Sequence, residues 1–395
     1  MSPIMHVCKK CFEYLFRFIC FCLASLIPKR KSIWVFGAWF GQSFSDNPKY
    51  LYQYIYALKH KSIKPIWVTK NSEVVSELTA KGMNVYYYKS FKGIYYQLVS
   101  KVVFVGHSVS SDLNPYCIGL NTKRVQLWHG IPFKKIGFDD TIHTNKSLLA
   151  KKLSKVISFF NNNRYNIVTS TGEFCSNHFS SAFGIPLERI INTGFPRNDV
   201  FNRSAIDREK SGIFKVIYMP TFRGDIGDEF DLFAKFGFDT EKLEMIFDSA
   251  NVELHIRTHP ANKPSDFLMS KLKKSNRIFL STISDIYEEI NCYDCLITDY
   301  SSIMFDFALT SKPILFAPFD LDCYLSEDRE LYYSYEEVSG GVSYHNWEEL
   351  AKGIIKAKEM IDTQPPLFLQ SFHNNISSCE DEYSKCVFEY VKSSL

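Results

Sequence analysis

Residues 295–320 read CLITDYSSIMFDFALTSKPILFAPFD, and this stretch decides the fold class. The apolar runs at 295–298 and 313–318 are short and rich in β-forming residues, which is typical of buried strands. Between them, the small polar groups of 299–302 stand where a helix would begin. The unpaired N–H groups of a helix start can bind a phosphate, although an ordinary serine-capped helix explains the same residues. The order strand, turn, helix, strand predicts an α/β domain.

The rest of the chain repeats this alternation of strand-like runs and helical patterns. At 395 residues the chain is long for one hydrophobic core, so we expect two domains. The strand-like runs form two series, 33–36, 64–69, 84–88, 101–106, 124–130, 166–170 and 189–194, then 214–221, 252–260, 277–281, 295–298 and 313–318. The alternation predicts two Rossmann-like parallel sheets. We place the segments at 1–31, 32–205, 206–364 and 365–395, and expect the last one to pack back on the first domain.

Composition excludes several classes of protein and site. The formal charge is only +3, which does not fit a nucleic-acid-binding protein. The 11 cysteines are scattered in apolar runs, as expected for reduced thiols in a cytoplasmic protein. The CxxC pairs at 8–11 and 292–295 have no second ligand pair, so we predict no zinc or redox site there. The chain has no GxGxxG motif or P-loop, and Asp320 and Asp322 more plausibly order a loop than bind a metal.

The first thirty residues form an apolar, aromatic segment that ends in basic residues. Its uncharged run, 18–27, is too short to span a bilayer. The basic triplet at 29–31 follows directly. The pattern favours a helix in the membrane interface, with the cations at the lipid headgroups. A helix packed on the domain and a targeting segment are the alternatives.

Two histidines follow predicted strands. In open parallel sheets, ligands bind at the carboxyl ends of the strands. His129 lies between Trp128, which can shield it from water, and Gly130, which lets a substrate come close, so we predict a general base. His259 has the same placement beside Arg257, and such a pair can neutralise a developing phosphate charge. A hydrogen-bonded structural histidine is the alternative in each case.

Other basic residues stand in similar loops. Arg223 and Arg197 follow proline-stiffened turns and could each bind a phosphate, while Arg197 could equally belong to an ion-paired turn. Lys134 and Lys135 are expected to be solvated or to face a membrane. His107 also ends a predicted strand, but the sequence shows no partner for it.

The ordered set of loops resembles the CDP-glycerol:poly(glycerophosphate) glycerophosphotransferase family. The matching segments are FGAWFGQSFSDNPKYLYQYI at 36–55, QLWHGIPFKKIG at 126–137, TGFPRND at 193–199, MPTFRGD at 219–225, RTHP at 257–260 and ITDYSSIMFDFALTSKPILFAPFDLDCY at 297–324. They stand in the family's order and approximate spacing. The chain departs from the family at Phe222, where a tryptophan is common, and at 329–332.

The resemblance implies a GT-B-like α/β architecture, with two Rossmann-type domains whose parallel sheets face each other across a cleft. The domain at 32–205 would receive the acceptor and the domain at 206–364 would hold the nucleotide donor. His129 would be the catalytic base, and His259 a donor-phosphate contact or a second essential histidine. The donor-binding residues would be Thr221, Arg223, Asp299, Ser301, Ser302, Asp306 and Arg329, and the acceptor-binding residues Asp46, Asn47 and Arg197. Neither a metal nor another cofactor is implied.

The reaction implied by the resemblance is attack of an acceptor hydroxyl on the distal phosphorus of CDP-glycerol or a similar CDP-polyol, with release of CMP. The acceptor would be lipid-linked or a polymer, for a teichoic-acid-like or capsule polysaccharide. The enzyme would be peripheral, on the cytoplasmic face of the bacterial cell membrane. A GT-B glycosyltransferase using a nucleotide sugar and a catalytically silent assembly subunit are the alternatives. Whether one unit or many are added stays open.

Overall fold

A computed structural model of the chain describes residues 3–140, 164–202, 212–223, 229–230, 232–259, 262–327, 330–360, 364–372 and 382–395. The chain divides into two compact units. The first comprises Met1–His129, Gly137–Asp199 and Ile376–Leu395, and the second comprises Gly130–Ile136 and Val200–Asn375. The domain bounds drawn from the sequence stay a prediction.

The first unit is built on a seven-stranded sheet in which every pairing is parallel. The strands are β1 Arg30–Gly37, β2 Lys64–Thr69, β3 Val85–Tyr87, β4 Ser100–Val105, β5 Lys123–Gln126, β6 Ile167–Ser170 and β7 Ile190–Asn192. Their order is β3-β2-β1-β4-β5-β6-β7. Aromatic and β-branched side chains such as Trp34 and Val103 are fully buried, because helices cover a parallel sheet on both faces. The strand order reverses between β1 and β4, which is where ligands bind in such sheets.

The helices of the first unit connect these strands. The α-helices are Pro3–Leu26, Asp46–Ala57, Ser72–Ala80, Phe91–Val99, Val109–Asp112, Glu173–Phe183 and Tyr383–Ser393. Short 3₁₀ turns lie at Trp39–Gly41, Pro115–Cys117, Gly137–Asp139, Leu187–Arg189 and Pro196–Asn202. Polar residues begin several helices: the side chain of Asn71 accepts from the amide of Glu73, and Ser90 accepts from that of Gly93. These caps satisfy amides that the helix itself leaves unpaired.

The N-terminal helix, Pro3–Leu26, packs one face on the first unit. Phe21 and Ala24 are buried there. A Cβ added at Gly119 would lie 2.5 Å from the carbonyl carbon of Ala24, so this close approach requires glycine. Lys29 Nζ donates to the carbonyls of Ala24 at 2.9 Å and Leu98 at 2.6 Å, and therefore anchors the helix end. The ammonium of Lys29, which the sequence places at lipid headgroups, is bound to these two carbonyls, and the interfacial helix stays a prediction.

None of the helices in the described part of the chain is both long enough and apolar enough to span a bilayer. Among the described cysteines, Cys20, Cys22, Cys117, Cys175, Cys292, Cys295 and Cys323 are free thiols, as expected. Cys386 is disulfide-bonded, which departs from the expectation of reduced thiols.

The second unit is built on a five-stranded sheet, also parallel throughout. Its strands are β8 Phe214–Met219, β10 Val252–Ile256, β12 Ile278–Leu280, β13 Cys295–Thr298 and β14 Ile314–Phe316, in the order β12-β10-β8-β13-β14. The two short strands β9 Glu229–Phe230 and β11 Lys263–Pro264 pair separately. The order reverses between β8 and β13, so the loops after these two strands flank the expected ligand position.

The helices of the second unit cover its sheet. The α-helices are Thr240–Ser249, Asp266–Leu272, Ile303–Phe307, Leu321–Glu327, Tyr335–Ser339, Trp347–Glu359 and Leu367–Ser371. Short 3₁₀ turns lie at Ala234–Phe236, Ile286–Glu288, Ile290–Cys292 and Ala308–Thr310. Trp347 is fully buried in the core, and its indole N–H donates to the carbonyl of Leu232 at 3.1 Å. The predicted α/β class with two parallel sheets is confirmed.

Candidate active site

In the first unit, His129 follows β5 and is held by one ring nitrogen. Its Nδ1 lies 3.3 Å from the carbonyl oxygen of Gly106. Because a carbonyl can only accept, Nδ1 carries the proton, and Nε2 has no hydrogen-bond partner within the described residues. Burial, followed by the positive charge of Arg197, lowers the pKa of His129 to about 4, although the bond to Gly106 acts in the opposite direction. The imidazole is therefore neutral at pH 7 and presents Nε2 as a proton acceptor.

The predicted acceptor-binding residues form a buried network of hydrogen bonds and an ion pair next to the backbone that precedes His129. Asp46, Asn47 and Arg197 are all buried. Arg197 Nη1 lies 2.8 Å from Asp46 Oδ1. The Asn47 side chain accepts from the amide of Arg197 at 3.0 Å and donates to the carbonyl of Trp128 at 2.9 Å.

In the structure these polar groups bind one another, and their predicted role in acceptor binding stays a prediction. They hold the backbone that carries His129. The alternative left open for Arg197, an ion-paired turn, describes what the structure shows.

Strained backbone surrounds the same histidine. Trp39, Phe40, Asp46 and Trp128 all have positive φ, at 46°, 56°, 63° and 54°. Each such non-glycine residue costs on the order of 1–3 kcal/mol and tends to be found at functional sites. Gly130 follows His129 with φ 135°, a conformation that favours glycine. This positive φ is a conformational reason for glycine at position 130, apart from the close approach of a substrate that the sequence predicts there.

His107 packs against His129, which the sequence could not show. The two imidazoles stack with ring centroids 4.5 Å apart and planes 15° from parallel. The amides of His107 and Gly106 donate to Asp112 Oδ2 at 2.8 and 3.0 Å, so Asp112 fixes the turn whose carbonyl holds His129. Burial, and then His129, lower the pKa of His107 to about 3. The sequence places His107 at the end of a predicted strand. It does not reveal the stacking on His129, because the two histidines are more than twenty residues apart.

In the second unit, Arg223 is paired with carboxylates. Its Nη2 lies 2.8 Å from Asp299 Oδ2, and its Nε lies 2.8 Å from Asp320 Oδ2. Thr221 donates from its amide at 2.8 Å and its hydroxyl at 2.7 Å to Asp299 Oδ1. Burial alone would lower the pKa of Arg223, but the two carboxylates raise it above its ordinary value.

Arg223, Asp299 and Thr221 form a network of their own, and their predicted contact with the donor phosphates stays a prediction. These side chains bind each other and join the loops after β8, β13 and β14. The expectation that Asp320 orders a loop agrees with its pairing here.

The turn at 299–302 carries two serines. The hydroxyls of Ser301 and Ser302 make no hydrogen bond within the described residues, and both side chains are partly exposed. The helix that follows, Ile303–Phe307, has only five residues, and Ser302 makes no side-chain cap. The alternative of a serine-capped helix is therefore wrong for Ser302, and the helix is too short for a strong dipole.

Two other residues were predicted to bind the donor, Asp306 in the helix that follows this turn and Arg329. Asp306 is fully buried, and its Oδ2 accepts from the hydroxyl of Tyr287 at 2.6 Å. Its carboxylate therefore meets Tyr287 in the interior of the second unit, and the predicted ribose contact stays a prediction. Arg329 lies outside the described residues.

His259 lies just after β10 and packs on Phe222, with ring centroids 5.6 Å apart. Burial, then the positive charges of Lys134 and Arg257, lower the pKa of His259 to about 4. Like His129, it is a neutral imidazole at pH 7. Lys134 is accordingly close enough to act on His259, whereas the sequence placed this lysine in solvent or at a membrane.

Comparison with solved structures defines the class of fold. The structure described as the wall teichoic acid polymerase TagF is 24% identical, covers 99% of this chain and 96% of its own, and superposes with a TM-score of 0.74. A likeness at this identity shows a shared GT-B-like fold of two parallel α/β sheets.

The sequence comparisons then define the family. A model of the CDP-Glycerol:Poly(glycerophosphate) glycerophosphotransferase family matches residues 19–391, and the chain belongs to this family. A teichoic acid glycerol-phosphate transferase of Staphylococcus aureus (strain NCTC 8325 / PS 47) is 28% identical, with 96% of each chain covered. A teichoic acid poly(glycerol phosphate) polymerase of Staphylococcus epidermidis (strain ATCC 35984 / DSM 28319 / BCRC 17069 / CCUG 31568 / BM 3577 / RP62A) is 28% identical over 89% of this chain and 49% of its own length. The prediction that the protein is an enzyme, a transferase of this family, is confirmed.

Proposed function

We propose that the protein transfers glycerol phosphate from CDP-glycerol to the hydroxyl of a lipid-linked or polymeric acceptor. The observation that carries this proposal is the state of His129: Nδ1 is held by the Gly106 carbonyl, so a neutral imidazole presents Nε2 to a substrate. A phosphoryl transfer to an alcohol needs such a proton acceptor, which contributes about 10²–10⁴ in rate.

In the proposed step, Nε2 of His129 removes the proton of the acceptor hydroxyl. The oxygen forms a bond to the distal phosphorus of CDP-glycerol, and the bond from that phosphorus to the bridging oxygen breaks. CMP leaves, a phosphodiester remains, and the proton stays on the imidazole until it exchanges with solvent. No covalent enzyme intermediate is needed.

The second unit supplies donor binding in this proposal. Ser301 and Ser302 carry unpaired hydroxyls directly after β13, at the reversal of strand order, and these donate hydrogen bonds to the diphosphate. His259, neutral and beside Phe222, donates a further hydrogen bond to a phosphate oxygen. Thr221, Arg223 and Asp299 hold the loops in place.

We propose that the N-terminal helix brings the enzyme to the cytoplasmic face of the cell membrane, where a lipid-linked acceptor would be found. Large apolar side chains on the face opposite Phe21 and Ala24 are exposed: Phe12 71%, Leu15 57%, Ile19 47%, Leu23 59% and Leu26 80%. These positions share one stripe of the helix, because side chains three and four apart align. Such a stripe fits the acyl boundary of a bilayer.

The test compares donors with one preparation of the enzyme. CDP-glycerol, CDP-ribitol and UDP-hexoses are incubated with a lipid-linked acceptor in vesicles, and released CMP or UDP is measured. We expect CMP from CDP-glycerol, and a fall of at least about a hundredfold in turnover for His129→Ala, because a general base contributes this much. His345→Ala changes an exposed histidine and serves as the control.

Release of UDP instead of CMP would assign a glycosyltransferase. Full activity of folded His129→Ala would remove the role of His129, and polymer formation that depends on the protein without any turnover would indicate an assembly subunit.

A further inference from the structure

A short extended segment of the second unit fixes the direction of Lys134. The amide of Lys135 donates to the carbonyl of Glu330 at 2.8 Å. The amide of Tyr332 donates to the carbonyl of Phe133 at 2.9 Å. Lys135 Nζ also pairs with Glu330 Oε2 at 2.9 Å. Because neighbours along an extended segment point to opposite sides, the side chain of Lys134 leaves on the other side from that of Lys135.

On that side, Lys134 meets an aromatic ring. Its Nζ lies 4.9 Å from the centre of the Tyr324 ring. The Tyr324 ring stacks on that of Tyr300, with centroids 4.0 Å apart. Tyr300 directly precedes Ser301 and Ser302. Two aromatic contacts in series therefore link the ammonium group to the side chain of Tyr300, and a cation over an aromatic face is stabilised there. The charge of Lys134 also acts on His259, the histidine assigned to the donor site.

The charge of a bound diphosphate needs a cation at this turn. Arg223 cannot supply it, because its guanidinium is paired with the carboxylates of Asp299 and Asp320. His259 is neutral at pH 7, since burial and the nearby cations lower its pKa to about 4. A diphosphate bound only by neutral donors would retain its negative charges in a partly buried site, which is unfavourable.

We propose that Lys134 is the phosphate-binding cation of the donor site. Its ammonium group binds the non-bridging oxygens of a nucleoside diphosphate, while Ser301 and Ser302 donate hydrogen bonds to the same group. The inference rests on the proposed function, because it takes a CDP-linked donor as the ligand of the second unit. It gives a ligand-binding role to a lysine that the sequence analysis placed in solvent or at a membrane.

The experiment measures binding of CDP to the full-length protein by calorimetry, at low and at high salt. Lys134→Ala is compared with Lys134→Arg, which keeps a cation, and with Lys135→Ala, which removes the neighbouring lysine of the opposite side. A charge-assisted hydrogen bond contributes enough that we expect the Kd for CDP to rise about tenfold or more in Lys134→Ala. We expect most of the affinity back in Lys134→Arg and a change within about twofold in Lys135→Ala.

The difference between wild type and Lys134→Ala should shrink at high salt, because salt screens the attraction of partly exposed charges. A folded Lys134→Ala protein that binds CDP as tightly as wild type would overturn the inference and leave the proposed function intact. If Lys134→Ala does not fold, Lys134→Gln, which keeps a polar stem over Tyr324, replaces it with the same expected result. Wild-type protein that binds neither CDP nor CDP-glycerol would overturn the proposed function itself.

Discussion

At the scale of single residues, His129 and Arg223 show how burial and neighbours change what a residue type can do. His129 is a histidine with a low pKa, and its proton acceptor is Nε2 because Nδ1 is held by Gly106. Arg223 lies beside the stacked rings of Tyr300 and Tyr324, with Cζ 4.9 and 4.6 Å from their centres, and is paired with two carboxylates. Burial makes the histidine neutral at pH 7, and the two carboxylates keep the arginine charged and bound.

The pH dependence of the reaction should report the low pKa of His129. The base must be neutral, so kcat/KM falls as pH falls through that pKa, which burial and Arg197 place at about 4. We expect kcat/KM to stay nearly level from neutral pH down past the ordinary histidine pKa of about 6.5. Initial rates of CMP release across the pH range give this measurement, with His345→Gln as a control that should not shift the curve. A fall of kcat/KM centred at the ordinary histidine pKa would contradict the lowered pKa of His129.

Removing Arg223 should destabilise the second unit more than removing an exposed ion pair. Arg223→Met leaves the buried carboxylate of Asp299 without its cation, and breaking a buried pair in this way costs about 3–5 kcal/mol. In the control, Arg277→Met breaks a pair with Asp248, which is 69% exposed, and should cost at most about 1 kcal/mol. Urea unfolding of both variants measures the two values. Equal losses would mean that the network around Arg223 is not a buried structural pair.

At the scale of elements, the N-terminal helix has two distinct faces. Phe21 and Ala24 are buried against the first unit, and the hydroxyl of Ser25 donates to the carbonyl of Phe21 at 2.6 Å. The amide of Leu120 donates to the same hydroxyl at 2.8 Å. The helix is thus attached to the unit along one side, and its opposite apolar side has no cover within the described residues.

Replacing the exposed stripe should weaken membrane binding without unfolding the protein. Changing Leu15, Ile19 and Leu23 together to serine removes apolar groups that each contribute about 0.8 kcal/mol per buried CH₂ in a bilayer. We expect at least about tenfold weaker binding to vesicles that contain anionic lipid, measured by co-sedimentation. A control with Leu187 and Leu367 changed to serine alters exposed leucines elsewhere. Unchanged binding of the triple variant would show that the stripe does not meet the membrane.

At the scale of the whole molecule, the last helix completes the core of the first unit. Val387, Phe388 and Val391 of the helix Tyr383–Ser393 are buried in that core. The Phe388 ring lies 5.7 Å from that of Trp34 in β1, at the other end of the chain. Because these residues are so far apart in sequence, the core of the first unit is complete only once the helix Tyr383–Ser393 has packed against it.

Truncating Phe388 should therefore destabilise a unit whose sheet begins more than 350 positions earlier. Phe388→Ala leaves a cavity against Trp34, and such changes cost about 3–5 kcal/mol. Tyr390→Ala, in the same helix but 41% exposed, should cost much less. Thermal unfolding of the two variants checks this difference. A comparable loss in both would indicate that the last helix is not part of the core.

Strand periodicity, helix periodicity and turn residues act over a few neighbouring positions. The sequence alone therefore predicts the main strands and helices, the two parallel sheets and the loops that carry the candidate site. It also placed His129, His259 and the turn at 299–302 at strand ends. The partners of the polar side chains in these loops are visible only in the three-dimensional structure. Arg223 meets Asp299 across 76 positions, and Lys134 Nζ lies 4.9 Å from the centre of the Tyr324 ring. Such pairings depend on contacts between distant segments, which local pattern cannot encode.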